Sequence, residues 1–411
     1  MNDKIRKQLM VLIISVIIAI LVPTVFFVFQ VIQKSIQQYE AKKDTIKVVA
    51  SPVEEGKSQV QMEISPLFQP FPTLKPVEVE LVMVGDMLLH GYVQTNGRQP
   101  DGSYNYDHFF QHVKKQIKKA DVAVVNQEVI IGGEEFGIQN YPRFNCLNEA
   151  GDALVKAGFD VVLHATNHTL DQGVKGVQNC MEFWETEHPE TTYLGVHKSE
   201  KARKKIYVYV KDGLRIAMLN YTYGLNGFSV PSDQSYLVDL LDKKKVKADI
   251  KKAKKQADFV VVYPHWGTEY YLGVSQSQKD WAQFFADQGV DLVIGTHPHV
   301  VEPVEWVKGK DGNNMLAYYS IGNFISAQDQ AKTMLGAMAK VTIVKDIRGN
   351  VSIKDNKEIP IVTHWESGTA TFTTYPLKKY SQELALRNHA RNMDYTFSWQ
   401  KMWDIWNEVM G

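Results

Sequence analysis

Short apolar runs alternate with amphipathic stretches from residue 77 onward. The apolar runs have strand length, and we expect strands at Val77–Val84, Asp121–Val125, Phe159–His164, Ile206–Val210, Leu214–Asn220, Phe259–Tyr263, Val290–Ile294 and Met315–Tyr319. Helical periodicity separates them at Asp107–Lys119, Glu149–Ala157, Gly173–Thr186, Lys243–Gln256 and Gln276–Gln288. This alternation predicts an α/β domain with buried, largely parallel strands.

The last part of the chain changes pattern. Two further apolar runs, Gly336–Val344 and Asn350–Ile361, predict strands that complete a sheet, so that the main domain spans residues 77–377. Residues 378–411 form a separate tail that reads as helical from residue 381. One face of this tail is apolar, with Trp399, Trp403, Ile405, Trp406 and Val409. We expect the tail to pack on the domain through that face rather than to form a partner surface.

The amino-terminal segment predicts a membrane anchor. Residues 9–29 contain no charged side chain, and the apolar stretch extends to residue 32, which is long enough to span a bilayer. A cleaved signal peptide is the alternative, but its apolar region is shorter and ends at a small-residue cleavage site that is missing here. Basic residues precede the span, so residues 1–8 are predicted to be cytoplasmic. Residues 33–76, polar and proline-containing, form a tether to a domain outside the membrane of a bacterial cell.

Composition excludes several classes of protein. The 411 residues carry 46 basic and 46 acidic side chains, so no global charge favours nucleic-acid binding. The hydrophobic fraction of 44% argues against disorder. The chain has two cysteines, Cys146 and Cys180, which could form one bridge; two buried or inert thiols are the preferred interpretation.

Polar side chains follow nearly every predicted strand. Because the carboxyl ends of strands in an open α/β sheet form one rim, these side chains are predicted to converge on a ligand site. Imidazoles combined with carboxylates suit divalent ions such as Zn, Mn, Fe or Co. The candidate ligands exceed the three or four of a single catalytic zinc but suffice for two ions that share a carboxylate. They are Asp86, His90, Glu128, Asn167, His265, His297 and His299.

Six short motifs carry a resemblance to a known family. GDMLLH, NQE, ATNHTLDQG, HWGTEY, GTHPHV and YSIGNF occur in an order that resembles the CapA/PgsA family, membrane-anchored proteins of bacterial poly-γ-glutamate capsule synthesis. The resemblance covers roughly residues 78–345. That family is similar to calcineurin-like metallophosphoesterases, which implies a four-layer α/β/β/α sandwich with a centre of two divalent ions, Mn, Zn or Fe.

The resemblance also implies roles for single residues. Glu128 stands where phosphoesterases place the metal-bridging aspartate, and His168 stands where they place an acid or oxyanion donor. Asp171 is then the partner that fixes the tautomer of His168, although an ordinary contact at a helix start is an equal alternative. Two departures are visible: phosphoesterases open with Asp-x-His, whereas His90 lies four residues after Asp86, and Glu128 is one methylene longer than aspartate.

Substrate contacts are predicted from the loops that follow the same strands. The candidates are Arg143, Asn145, Glu269 and Asn323. Arg143 would pair with a carboxylate or phosphate. The segment Lys243–Lys255 carries eight lysines, and residues 114–119 carry four more. These lysines form either a solvated helix face or a track for a polyanion such as poly-γ-glutamate.

The leading functional interpretation is a membrane-anchored, extracytoplasmic capsule biosynthesis or export protein with a dinuclear, hydrolase-like site. Its expected partners are the membrane, a polyanionic polymer and membrane synthase subunits, with no nucleic acid. One alternative is a non-catalytic accessory subunit or scaffold of a synthase complex, which the missing Walker-type loop supports because polymer synthesis requires ATP. Another is a cell-surface phosphatase unrelated to capsule. The electrophile, a phosphoester or a γ-glutamyl amide, stays open.

Overall fold

The computed structural model describes residues 75–368 and 372–411. The predicted cytoplasmic segment, the anchor over residues 9–32 and all but the last residues of the tether lie outside this part of the chain. Within the described residues, no helix combines the length and apolarity that a membrane span requires.

Strands dominate the described domain. In chain order they are β1 (Val77–Leu88), β2 (Val122–Asn126), β3 (Val161–Leu163), β4 (Thr192–Leu194), β5 (Tyr207–Lys211), β6 (Leu214–Thr222), β7 (Phe259–His265), β8 (Leu292–Ile294), β9 (Val304–Lys308), β10 (Asn314–Tyr318), β11 (Asn323–Ser326), β12 (Leu335–Lys345), β13 (Val351–His364) and β14 (Thr373–Pro376). The first sheet has the order β14-β13-β12-β1-β2-β3-β4, with β11 also paired to β1, and the second has the order β5-β6-β7-β8-β10-β9. The chain therefore has a mixed α/β fold with two sheets.

Helices connect the strands. The α-helices are Gly91–Thr95, Lys114–Lys119, Asn148–Ala157, Gly173–Glu187, Glu200–Arg203, Lys243–Gln256, Gln276–Gln288, Ala331–Met334, Gln382–Arg387 and Trp399–Met410. Single turns of 3₁₀-helix occur at Asp107–Phe110, Ser232–Gln234, Leu377–Lys379 and His389–Asn392. The predicted helix Asp107–Lys119 is therefore wrong as one element: it consists of a 3₁₀ turn and a separate short α-helix. Residues 111–113 form turns between the two pieces, so no helix runs continuously through them.

The two sheets share one apolar core. Val261 of β7 lies in the same buried cluster as Met83 of β1. Val260 of the same strand points to the other side, where it packs with Ile250 and Phe285 of two helices. This alternation follows from the two-residue period of a strand. One face of the second sheet therefore contacts the first sheet's core, and the other is covered by helices.

The end of β1 is shaped by a glycine. A Cβ on Gly85 would lie 1.8 Å from the carbonyl oxygen of Gly322, so only glycine allows this approach of the two chain segments. The backbone N–H of Asp86 then donates to Gly322 O over 3.1 Å. The parallel register of β1 with β2 also shifts between Val84 and Asp86. This local break places the Asp86 side chain, which is fully buried, at the edge where the two sheets meet.

The carboxyl-terminal tail packs on the domain, as its apolar face predicts. Met402 and Ile405 are buried in the main core, and Trp399 and Trp403 pack against it. The Asp394 carboxylate accepts the backbone N–H of Ala331 over 2.9 Å. The tail thereby contacts the segment that follows β11.

Candidate metal centre

Strand ends from both sheets supply the candidate site. The first sheet contributes Asp86 and Glu128, which lie at or just after the ends of β1 and β2. The second contributes His265 at the end of β7 and His299 after β8. His299 Nδ1 lies 3.1 Å from Asp86 Oδ2, and His265 Nε2 lies 3.8 Å from Glu128 Oε1. The predicted convergence of strand ends is therefore present, and it joins the two sheets.

Three of the predicted ligands form a compact buried cluster. One potential ligand atom from each of Glu128, His297 and His299 lies within 4.8 Å of the others. Both carboxylate oxygens of Glu128 and the Nδ1 atom of His297 are buried without a hydrogen-bond partner. Native structures rarely leave such atoms unpaired. A carboxylate and two imidazoles are a donor set that fits a divalent transition-metal ion.

Burial governs the protonation of this cluster. It raises the pKa of Glu128 well above its usual value, and it lowers the pKa of His297 well below the usual value. Burial alone would also lower the pKa of His299, but the Glu128 carboxylate and the hydrogen bond to Asp86 outweigh it and raise that pKa to about 9. Because metal ligands must be deprotonated, metal binding here would release protons.

Asp86 orients the histidines in this structure. Its Oδ1 accepts Asn126 Nδ2–H over 2.7 Å. Its Oδ2 lies 3.1 Å from His299 Nδ1 and 3.3 Å from the backbone nitrogen of His297. Asn323 Oδ1 lies 3.1 Å from the same His299 nitrogen. Asp86 and Asn323 thus hold the ring of His299 so that Nε2 faces Glu128, at 3.6 Å from Oε1.

His265 and Asn167 form a pair beside the cluster. His265 Nε2 lies 2.9 Å from Asn167 Oδ1, and His265 Nδ1 lies 3.0 Å from Thr296 Oγ1. Asn167 Nδ2 donates to Asn226 Oδ1 over 3.2 Å. Burial lowers the pKa of His265 well below its usual value. Both ring nitrogens of His265 are therefore engaged by protein atoms.

His168 is held by Asp171. Its Nδ1 lies 2.7 Å from Asp171 Oδ2, which also accepts the backbone N–H of Phe144 over 2.7 Å. The Phe144 ring packs edge-on against the imidazole, with 4.7 Å between centroids. Asp171 precedes the helix Gly173–Glu187 and caps none of its N–H groups. This geometry favours the interpretation of Asp171 as the orienting partner over that of a helix-start contact.

A cavity of about 680 Å³ opens at the cluster. Its lining includes His90, Asn167, His168, Asn226, Glu269 and His299. Burial lowers the pKa of His90 to about 4, and its Nδ1 lies 3.0 Å from Leu88 O. His90 is thus on the cavity wall and outside the three-residue cluster, in keeping with its unusual spacing from Asp86.

Of the four predicted substrate residues, two line the cavity and two do not. Glu269 and Arg143 line the cavity, and the Arg143 guanidinium donates through Nε and Nη2 to the backbone carbonyl of Asp171 over 2.9 and 2.7 Å. Asn145 is fully buried, and its amide bonds only to backbone groups of residues 132, 133 and 137. Asn323 lies behind His299. Asn145 and Asn323 therefore support the site rather than line the cavity.

Strained backbone marks the same region. Five non-glycine residues of the described part have positive φ, and four of them lie at the site. They are Asn226 at 49°, Tyr270 at 63°, His297 at 100° and His299 at 60°. Such conformations cost free energy and cluster where function requires a fixed geometry. Nothing in hydrophobic periodicity could have indicated them.

Two other predicted features lie away from the site. Cys146 and Cys180 are free and buried, and burial raises the pKa of both thiols, to about 12 for Cys180. The interpretation as buried thiols is therefore confirmed. In the helix Lys243–Gln256, the residues Val246 and Ile250 face the core, while most lysines are exposed.

Comparison with known sequences identifies the family. The profile of the family described as "Bacterial capsule synthesis protein PGA_cap" matches residues 80–328, which is more than half of the chain. The chain belongs to this family. The resemblance to CapA and its relatives in the sequence motifs is thereby confirmed.

Two curated relatives of this PGA_cap protein are capsule proteins. This chain is 27% identical over 332 residues to the "PGA biosynthesis protein CapA" of Bacillus subtilis (strain 168), and the match covers 77% of this chain and 78% of that protein. It is 29% identical over 274 residues to the "Capsule biosynthesis protein CapA" of Bacillus anthracis, covering 64% of this chain and 63% of that protein.

Solved structures similar to this chain include two nucleotidases. One is the NAD nucleotidase NadN of Haemophilus influenzae, with a TM-score of 0.45, 12% identity, and coverage of 82% of this chain and 57% of that chain. The other is a 5'-nucleotidase precursor from Thermus thermophilus, with a TM-score of 0.43, 14% identity, and coverage of 70% and 54%. The chain spans little more than half the length of each.

Proposed function

We propose that this protein is a membrane-anchored, extracytoplasmic component of capsule biosynthesis whose cavity contains a hydrolase-like divalent-metal centre. One observation carries the catalytic part: the buried cluster of Glu128, His297 and His299, with three potential ligand atoms that have no hydrogen-bond partner. The family and its CapA relatives support the capsule role. The uncharged stretch over residues 9–29 supports the anchor.

The finer proposal is a pair of ions in a four-layer sandwich. The shared core of the two sheets and the helices on the second sheet's outer face support the α/β/β/α arrangement. Glu128 would be shared by two ions of Mn, Zn or Fe, with Asp86, Asn167 and His265 around the cluster as further ligands. Bound ions would supply Lewis-acid activation of water and neutralise charge on the attacked group.

The chain's own residues supply proton transfer. Asp171 binds Nδ1 of His168, so Nε2 is the nitrogen available for the substrate. His168 then protonates the leaving group or donates a hydrogen bond to the developing negative charge. Phe144 limits rotation of the ring through its edge-on contact. The leaving group is that of a phosphoester or of an amide such as a γ-glutamyl bond.

The positive charge of one helix and the family of the chain suggest two kinds of partner. The exposed lysines of the helix Lys243–Gln256 would contact a polyanionic polymer such as poly-γ-glutamate. Synthase subunits in the same membrane would supply that polymer.

One observation favours a second function, that of a non-catalytic accessory subunit. Both oxygens of Asp86 and both ring nitrogens of His265 bond to protein atoms. A protein that retains the fold without the chemistry would satisfy its former ligands in this way.

Two histidine variants separate these functions. His168→Ala should keep the metal content close to wild type, since His168 is outside the ligand cluster, while hydrolysis falls by about 10²–10⁴-fold. His297→Ala removes a ligand and should lose both metal and hydrolysis. The measurements are metal analysis of the purified protein, hydrolysis of phosphoester and γ-glutamyl substrates, and polymer production in a deletion strain. His188→Ala is the control, on a partly buried histidine that pairs with Asp152 and does not line the cavity.

The accessory-subunit function predicts a different result. Folded His168→Ala and His297→Ala proteins would then restore wild-type polymer production. That outcome would reject the catalytic proposal.

A further inference from the structure

We propose that the substrate is an amide in which Glu269 binds an ammonium group on the acyl side and Arg143 binds a carboxylate on the leaving amine. Among the described residues that line the cavity, Arg143 is the one arginine or lysine and Glu269 is the one carboxylic acid. This inference rests on the proposed function of the metal centre and decides between its two electrophiles, the phosphoester and the amide.

Arg143 is fixed beside His168 and keeps N–H donors for a ligand. Its Nε and Nη2 donate to the backbone carbonyl of Asp171, whose side chain holds His168. Its Cζ lies 5.3 Å from the centre of the Phe228 ring, a favourable position for a cation. A guanidinium has five N–H donors, and these contacts leave both donors of Nη1 unused. Because Arg143 is exposed to the cavity, these donors can bind a carboxylate.

Glu269 is held near His299 through Tyr270. The rings of Tyr270 and His299 lie 6.0 Å apart between centroids. Gln328 Oε1 accepts Asn323 Nδ2–H over 2.8 Å, so the Gln328 NH₂ is the group that donates to the Tyr270 hydroxyl oxygen over 3.3 Å. The hydroxyl proton of Tyr270 is left for its hydrogen bond to the Glu269 carboxylate. Glu269 is thus oriented, and it is exposed to the cavity.

Arg143 and Glu269 both keep their charges available to a ligand. Within the part of the chain that the structure describes, neither side chain forms an ion pair. Burial and, after it, the Glu269 carboxylate raise the pKa of Tyr270 to about 12, and the same two causes raise the pKa of Tyr223 to about 12. The negative charge of Glu269 therefore acts on both neighbouring phenols. A cavity with one free charge of each sign is complementary to a ligand that carries both signs.

A phosphoester fits this distribution of charge poorly. Proteins recognise phosphate groups with clusters of arginines, whereas the described residues of the cavity lining offer one permanent cation. The Glu269 carboxylate would repel a phosphate at the cluster, because like charges brought together oppose binding. The carbonyl group of an amide is neutral, so the reacting group avoids this repulsion. The charges of the cavity therefore favour the amide.

The position of Arg143 assigns the two charges to the two sides of the amide bond. His168 protonates the leaving amine in the proposed function, and Arg143 lies beside His168, so the carboxylate belongs to the leaving amine. An α-amino acid has this arrangement, since one carbon separates its nitrogen from its carboxylate. The ammonium group at Glu269 then belongs to the acyl unit. A chain of side-chain-linked amino acids with free α-carboxylates has an ammonium group only at its amino-terminal unit, and that unit is the one selected.

Hydrolysis of this substrate requires one water and no other reactant. The oxygen of the water joins the acyl carbon, the C–N bond breaks, and the amine leaves with a proton from His168, which a proton of the same water replaces. The products are a free amino acid and a chain that is one unit shorter at its amino end.

Three probes separate the two charges. γ-Glutamylglutamate carries both, its N-acetyl derivative lacks the ammonium group, and γ-glutamylpropylamide lacks the carboxylate on the leaving amine. The variants are Glu269→Gln and Arg143→Gln, which remove one charge each. The control is Glu134→Gln, because Glu134 is an exposed glutamate that does not line the cavity.

Binding is measured by calorimetry on Mn²⁺-loaded protein that carries His168→Ala, in which turnover is slow. γ-Glutamylglutamate should bind about 10–100-fold more tightly than either altered probe, as expected for a hydrogen-bonded charge. Glu269→Gln should abolish the preference over the N-acetyl probe, and Arg143→Gln should abolish the preference over the propylamide. Glu134→Gln should keep both preferences. Equal binding of all three probes to the protein without these variants would overturn the proposal.

Metal content and turnover give two further readouts. Glu269→Gln should keep the wild-type metal content; loss of metal would make Glu269 a ligand and overturn its role toward ammonium. With His168 restored, hydrolysis of bis(p-nitrophenyl) phosphate but not of γ-glutamylglutamate would also overturn the choice of the amide. If neither probe is hydrolysed, the proposed catalytic function fails, and the binding preferences still decide the roles of Glu269 and Arg143.

Discussion

Two groups of charged side chains lie in this domain, one mostly buried and one fully buried, and they are built in opposite ways. In the first, the Arg203 guanidinium pairs with two carboxylates: Nε lies 2.9 Å from Asp239 Oδ1, and Nη2 lies 2.8 Å from Asp249 Oδ2. His197 adds a contact of 2.6 Å to Asp239. At the candidate metal centre, by contrast, Glu128 has no hydrogen-bond partner for either oxygen.

The difference separates a structural ion-pair network from a ligand site. In the Arg203 network, protein partners compensate the desolvation of each charge. At Glu128 the His299 imidazole lies 3.6 Å from Oε1 without a hydrogen bond, and burial raises the carboxyl pKa although His299 opposes the rise. A bound metal ion would supply the bonds to the carboxylate oxygens that the protein does not make. Removing a charge should therefore have different consequences in the two places.

The largest effect is expected in the Arg203 network. Arg203→Ala leaves the mostly buried carboxylates of Asp239 and Asp249 without their main partner and should destabilise the fold by about 3 kcal/mol. Chemical denaturation of the protein measures this loss of stability. Arg215→Ala, which breaks an exposed pair with Asp258, should change stability much less. Equal losses for the two variants would remove the distinction between buried and exposed pairs.

The next effect concerns metal addition. Wild-type protein should gain about 2.7 kcal/mol of stability when Zn²⁺ or Mn²⁺ is present at 100 times its Kd, and melt at a higher temperature. Glu128→Ala should abolish this gain, whereas His90→Ala should keep most of it because His90 lies outside the cluster. Thermal melts with and without metal test both. If the melting temperature of the wild-type protein does not change when metal is added, the burial of Glu128 without a hydrogen-bond partner is left unexplained.

Glu302 is intermediate between the Arg203 network and Glu128, because only one of its two carboxyl oxygens has a hydrogen-bond partner. The smallest change in stability is expected here. It is fully buried, with one oxygen bonded to Gln278 Nε2 and the other without a partner. Burial raises its pKa to about 8 from 4.5, although the Gln278 bond acts against the rise. The folded state thus binds a proton that the unfolded state releases, so stability is lost as pH rises from about 4.5 to about 8.

The variant Glu302→Gln removes this titration. Its stability relative to wild type should increase with pH over that interval, by on the order of 1–3 kcal/mol at the upper end. Denaturation curves at pH 5 and pH 8 measure it. A constant difference between the two pH values would contradict the assignment.

The long helices and the strands with continuous apolar runs were predictable from the sequence, whereas four short strands were not. The helices Lys243–Gln256 and Gln276–Gln288 have the predicted bounds, because each combines a clear apolar period with a capping side chain, Asp242 and Ser275 respectively. The strands β4, β9, β11 and β14 were missed. Each is short and, unlike the equally short β3 and β8, lacks a run of consecutive aliphatic residues.

Some residues of the candidate site were likewise predictable from the sequence, and others were not. The approach of Glu128, His297 and His299 was predictable because strand ends meet at one edge. Asn226 was not among the predicted residues, since Asn-Gly in sequence indicates a turn and gives no sign of side-chain contacts. The buried position of Asn145 could not be predicted because it depends on the path of a loop, which has no periodic signal.

The direction of β1 has a practical consequence for handling the protein. The chain enters the described domain at Val77 and reaches the cavity at Asp86, nine residues of strand later, or about 30 Å away. A solid support attached before residue 75 therefore leaves the cavity facing the bulk solution, open to long polymers. The other terminus is different: the helix Trp399–Met410 contacts Ala331–Met334, and Lys332 of this segment donates through Nζ to the backbone carbonyl of Tyr270, a residue of the cavity wall, over 3.0 Å. Immobilisation through that end would crowd the opening, so the amino-terminal side is the end to attach in binding and turnover measurements.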